Sequence, residues 1–383
     1  MLLYRVLGSD DLVTVSIGIR CGWLSGSVAR VGDDVVDVNR AGALLLAALV
    51  DSAVASEASS TPGKQMLAIG TGHAVVATAI ASRDALAAEL EQVVSMLFHP
   101  VVDATTFAAA KERLITELSD SFDNPLFKAA LHLTEFTEQG KRFSVSRLIE
   151  DVESLDLGAF RDYLENVANV SDVVLTVIGD VEASEVEAAI PPALLERGEA
   201  RATWGGVAPN ELGHSDVSKV IPGSADVAVY AVRFDPVGTD GVTALDRYVL
   251  LRMLAASVDE ADMVVRVDEF DASIVSQSEP ALASVINQIS ELTEAWVEQA
   301  RGALLESVAK DLQASPMNFS ALWTSNTLVG IELLTFLQAV QEYNIDIAQR
   351  TMDRLRVSVG RVEVKADDEA AELAAETTPL HRK

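Results

Sequence analysis

Two stretches of this chain share one order of elements, and that repetition constrains the fold more than any other feature. From Leu148 the sequence reads LIEDVESLDLGAFRDYLENVANVSDVVLTVIGDVEASEVEAAI. This predicts a short helix opened by Asp156, a buried strand over Val173 to Ile178, a Gly-Asp turn at Gly179 and Asp180, and a helix closed by Pro191 and Pro192. From Tyr343 the order returns in YNIDIAQRTMDRLRVSVGRVEVK, with a short helix opened by Asp346 and a strand over Val357 to Val364. An internal duplication of one α+β unit follows.

The residues before each cassette fit that reading. Val13, Val15, Ile17 and Ile19 alternate with small or polar residues, the pattern of a half-buried strand, and a helix over about Ala41 to Ala55 comes after a polar loop. Gln65 to Thr71 and Ala74 to Ala81 read as a hairpin or two adjacent strands. Asp84 opens an amphipathic helix that buries Leu86, Leu90, Val93, Val94 and Leu97 and stops at His99 and Pro100. Two more helices follow, one from Asp103 or Thr105 to about Asp120 and one over Pro125 to Thr137. The second half offers a strand over Val227 to Phe234, a helix over Thr243 to Ala256, a strand near Ala272 to Ser276, and helices across Pro280 to Val340. The expected division is a first domain over 1–195, a Gly- and Pro-bearing linker over 196–223, a second domain over 224–365, and an acidic, frayed tail over 366–383.

Composition narrows the function classes. With 383 residues, 49% of them hydrophobic and 23% charged, the chain has enough apolar surface for two cored domains. Its 58 acidic against 29 basic residues give a formal charge of −29, which repels nucleic-acid phosphates and anionic membranes. That acidity either solvates helix surfaces or attracts a basic peptide or partner. The single cysteine, Cys21, excludes an internal disulfide and a cysteine-based zinc cluster, and its setting VSIGIRCGW is that of a buried small apolar residue. The N-terminus shows no signal-peptide pattern, and the apolar run from Ala41 to Val50 is far short of the roughly 20 residues that span a bilayer. A soluble, cytoplasmic protein is expected. The five histidines show no pair spaced for a metal on one helix face, and there is no Ser-His-Asp arrangement or glycine-rich phosphate loop.

The duplicated order, with the segments FHPVVDATTFAAAKERLITELSD, Leu148 to Ile190 and Tyr343 to Lys365, resembles the pitrilysin-like metallopeptidases that include mitochondrial processing peptidase. The resemblance extends over about Leu12 to Lys365 and implies two homologous α/β-sandwich domains in tandem, an α+β fold forming half of a clamshell. In active members the helix after the first strand carries His-x-x-Glu-His, two imidazoles one turn apart with a glutamate that activates the zinc-bound water. In this chain those positions fall on Leu45, Ala48 and Leu49 in NRAGALLLAALVDSAV, and no histidine occurs between Met1 and Gly72 in any register. Glu117, in KERLITEL, stands at the family's remaining zinc carboxylate, and one carboxylate cannot hold zinc where about three protein ligands are needed.

The family's substrate clamp, an arginine followed seven residues later by a tyrosine, is matched in MVVRVDEFDASIVSQS by Arg266 and by Ser273 at the tyrosine position. Arg266 either reaches a peptide carbonyl or pairs with Asp268, Glu269 or Asp271. The resemblance therefore implies a catalytically silent subunit with no cofactor of its own. Zinc is expected in a pitrilysin-like partner subunit, and the substrate is an unfolded peptide, possibly basic, such as a leader-bearing natural-product precursor. The alternative is a non-proteolytic structural or peptide-binding homologue in a homodimer or larger complex. Neither reading involves nucleic acid or a membrane.

Overall fold

A computed structural model describes residues 2–5, 11–22, 28–31, 34–37, 41–61, 64–71, 73–137, 145–197, 202–204, 217–236, 243–258, 263–267, 272–290 and 292–366. The first half runs β1 (Leu2–Arg5), β2 (Leu12–Ile19), β3 (Val28–Val31), β4 (Asp34–Asp37), α1 (Ala41–Ser60), β5 (Gln65–Gly70), β6 (Val75–Ser82), α2 (Leu86–Phe98), α3 (Ala104–Asp123), α4 (Pro125–Thr137), α5 (Val145–Ser154), α6 (Leu157–Asn166), β7 (Val173–Gly179), α7 (Ala183–Ala189) and α8 (Pro192–Leu195). The second half runs β8 (Ala202–Trp204), β9 (Val217–Gly223), β10 (Val227–Pro236), α9 (Ala244–Ala256), β11 (Val264–Val267), β12 (Ala272–Ser276), α10 (Glu279–Ser290), α11 (Glu294–Ala314), α12 (Pro316–Leu328), α13 (Leu333–Glu342), α14 (Ile345–Met352) and β13 (Leu355–Ala366).

The duplication is visible in the sheets. One has the order β1-β7-β2-β6-β5, the other β9-β13-β10-β12-β11, and a small third sheet is β4-β3-β8. In each five-stranded sheet the first strand lies parallel to the last, β1 on β7 and β9 on β13, while the remaining neighbours are antiparallel.

By packing, one compact unit falls within Met1–Thr116, Arg147–Gly206 and Val308–Thr335, and the other within Glu117–Ser146, Val207–Ser307 and Phe336–Lys383. These units cross the boundary expected near residue 195, because α4 packs on β9, β10 and β13 while α12 packs on β2, β6 and β7. The stretch 196–223, expected to be linker, supplies β8, which pairs with β3, and β9, which extends the second sheet beside β13. Residues 367–383 of the expected tail lie outside the described residues.

Local chemistry explains several helix starts. Asp156 caps α6 by accepting from the Ala159 amide, and Thr243 and Asp246 form a reciprocal capping box on α9. The last short helix is capped by Asn344, whose side chain accepts from the Ile347 amide, so the expected start at Asp346 is corrected by two residues. Asp346 lies inside the first turn, where a carboxylate favours the helix dipole without capping it.

β2 departs from the half-buried strand its alternation predicts. Val13, Val15, Ile17 and Ile19 are buried, but so are Thr14 and Ser16, because α12 covers the polar face. Gly18 permits that approach: a Cβ there would stand 2.8 Å from Thr324 Cγ2 and 2.9 Å from Leu328 Cδ1. The second sheet buries an apolar cluster of Ile221, Val229, Ala231, Val275, Val362 and Val364 under Ala129 and Leu133 of α4.

Candidate functional site

α1 is buried all round over its first ten residues. Between Ala41 and Val50 every residue is buried or half-buried, and exposure begins at Asp51. Leu45 is 0% exposed, Ala48 7% and Leu49 8%, so the three positions that resemble a metal triad are core side chains. None has a lone pair to offer a cation or a water.

The first turn of α1 is seated on α6. A Cβ on Gly42 would stand 2.6 Å from the Tyr163 ring, so only glycine lets the two helices come this close. Tyr163 stacks on Phe160, with ring centroids 6.3 Å apart, and its hydroxyl donates to the Cys21 carbonyl at 2.9 Å. Cys21 itself is 0% exposed, and burial pushes its thiol up to about 11, which leaves it protonated and inert near neutral pH.

Two polar groups hold the middle of α1, where its exposure begins. Arg113 of α3 donates from Nη2 to the Ala48 carbonyl at 3.0 Å and pairs with the Asp51 carboxylate at 3.0 Å. The Ser52 hydroxyl donates to the same Ala48 carbonyl at 2.8 Å. A guanidinium thus ties α3 to the helix turn that resembles the metal turn. Sequence reading passed over Arg113 and Asp51. Their signal was present, since Arg113 stands one helical turn before Glu117 and Asp51 ends the apolar run.

Glu117 sits on α3 with an exposed side chain. Among the described residues no group of three or more His, Cys, Asp or Glu is placed to hold a metal ion. Likewise, no helix among the described residues is long and apolar enough to cross a membrane.

In the second unit, the two residues resembling the substrate clamp are brought together. Arg266 on β11 and Ser273 on β12 are direct cross-strand partners, so a separation of seven in sequence becomes adjacency in the sheet. Ser273 is 2% exposed and also stands opposite Arg233 of β10. β11 is one of the two edge strands of this sheet among the described residues, as β5 is of the first. The acidic residues weighed as partners of Arg266, at 268, 269 and 271, lie outside the described residues.

No protein-family model and no curated protein matches the chain. Solved structures do share its fold. A protein described as an M16-like peptidase from Alicyclobacillus acidocaldarius is 12% identical, with a TM-score of 0.71 over 95% of each chain. The peptidase M16 inactive domain from Pseudomonas fluorescens is 14% identical, with a TM-score of 0.64 over 94% of each chain. A chain of complex III2 from Candida albicans is also 14% identical, with a TM-score of 0.60 over 94% of this chain and 92% of that one. At such identities the likeness shows the fold alone: the chain has the α+β fold of pitrilysin-like, M16-type peptidases along nearly its whole length.

Proposed function

We propose that this chain is a catalytically silent subunit of a two-component zinc peptidase, with the zinc carried by a pitrilysin-like partner. The observation that carries the reading is α1: in a fold shared with peptidases, the helix that resembles the metal helix offers Leu45, Ala48 and Leu49, buried and without ligand atoms. The likeness to an inactive M16 domain supports it.

The role left to such a subunit is to bind and enclose an unfolded peptide. Among the described residues β5 and β11 stand at sheet edges, where an extended peptide can add as a strand through main-chain hydrogen bonds. The formal charge of −29 favours a basic segment, with an attraction that weakens as salt rises. A leader segment of a natural-product precursor in the cytoplasm is the substrate class this reading takes. Copurification from the native host tests it: a partner bearing His-x-x-Glu-His should accompany the chain, and chelator-sensitive cleavage of unfolded peptide should require both.

One finding favours a second reading. A chain of complex III2 from Candida albicans shares this fold, which supports a purely structural or peptide-binding subunit in a homodimer or larger assembly. Recovery of a stable assembly with no zinc and no cleavage would decide for it.

A further inference from the structure

The chain contains two helices of one kind. α4 and α12 each follow a long helix, each has 13 residues, and each begins with proline. Their corresponding positions differ in chemistry. The fifth and ninth residues are Ala129 and Leu133 in α4, and Ser320 and Thr324 in α12.

Each helix meets a sheet face of its own kind. Ala129 and Leu133, 0% and 1% exposed, pack in one apolar cluster with Val229, Ala231, Val275 and Val362. Ser320 and Thr324 meet hydroxyls instead. Thr176, Ser16 and Thr78 lie side by side in register across β7, β2 and β6, and all three are 0% exposed. Ser16 Oγ lies 2.6 Å from Thr78 Oγ1 and 2.7 Å from Ser320 Oγ, while Thr324 Oγ1 lies 2.7 Å from Thr176 Oγ1 and 2.8 Å from the Ser320 carbonyl. At the rim of the layer Thr71 and Ser325 pair at 3.1 Å.

We infer that this hydroxyl layer is a pairing code, which assigns α12 to the first sheet and α4 to the second and so prevents the duplicated halves from exchanging helices within or between chains. The physics is asymmetric. With α4 on the first sheet, Ala129 and Leu133 would leave Thr176 without its helix hydroxyl and Ser16 with one partner of two. With α12 on the second sheet, Ser320 would be buried against Val229, Ala231, Val275 and Val362. An orphaned buried hydroxyl costs more than a satisfied one contributes, so the wrong pairing is penalised more than the right one is rewarded. Apolar faces alone would accept either helix, because methyl contacts are non-directional.

The test uses the full chain. Thr324→Val, which keeps the shape and removes the hydroxyl, should lower the folded-to-unfolded ratio in urea by about 5- to 30-fold. Adding Thr176→Val should restore most of that loss, because the orphan is gone. Losses that simply add would overturn the inference. A variant with the whole layer apolar (Ser16→Ala, Thr78→Val, Thr176→Val, Ser320→Ala, Thr324→Val) should refold to several species on size exclusion, with heterogeneous amide exchange over residues 316–328. One species with wild-type protection would also overturn it. Should that variant fail to fold, the Thr176–Thr324 cycle decides alone.

Discussion

The helix α1 of the first unit and the β11–β12 hairpin of the second stand in opposite relations to chemistry. The first half of α1 is core, with the positions that resemble metal ligands filled by Leu45, Ala48 and Leu49 and its middle turn held by Arg113. The hairpin pairs Arg266 with Ser273 in backbone register at the margin of its sheet. The difference shows that α1 is held in place as core, whereas the pair resembling a substrate clamp lies on a sheet edge. Apolar packing and one guanidinium, that of Arg113, hold α1 where it is.

That comparison can be broken at α1 first. Leu45→Ala should destabilise the chain by about 2 to 5 kcal/mol in chemical denaturation, the cost of a cavity at a fully buried site. A value below 1 kcal/mol would mean the helix is not core. Gly42→Ala drives a methyl into the Tyr163 ring, and overpacking of this kind should cost about 1 to 3 kcal/mol. Arg113→Ala should cost about 1 kcal/mol, because the ion pair with Asp51 is partly exposed and only the bond to the Ala48 carbonyl is sheltered.

The hairpin is the subtler side. Arg266→Ala should weaken peptide binding by the assembled complex by less than about 1 kcal/mol, since Ser273 stands where a companion tyrosine would. A loss in the range of about 1.5 to 3 kcal/mol, that of a charge-assisted hydrogen bond, would make this subunit an active participant in capture. Glu117→Gln should leave the rate of the complex within about twofold, whereas loss of a working catalytic carboxylate typically costs on the order of 10² or more.

Elements with a strong period or a chemical boundary were legible in the sequence. Ala272–Ser276 and Pro125–Thr137 form the predicted strand and helix, and Asp156 caps α6. The short parallel strand β1 was not legible, because four residues carry no period and each pairs with a residue of β7 174 positions away, as Leu2 does with Thr176. β8 and β9 were hidden in a stretch whose glycines and prolines read as linker. The polar face of β2 was read as solvent-facing because alternation cannot tell water from a hydroxyl-bearing helix. Ser320 lies 304 residues from Ser16, and nothing local announces their contact. The ligand-like positions were legible only through resemblance, while the Arg113 contact that ties down α1 required the packing of α3 to be seen.

The most direct measurement is zinc per chain after exhaustive dialysis, for the chain alone and for its complex with a partner bearing His-x-x-Glu-His. The isolated chain should hold no stoichiometric zinc and the heterodimer one zinc, with chelator-sensitive cleavage of unfolded peptide only in the complex. One zinc bound per isolated chain, with chelator-sensitive cleavage by that chain alone, would contradict the reading of a silent subunit.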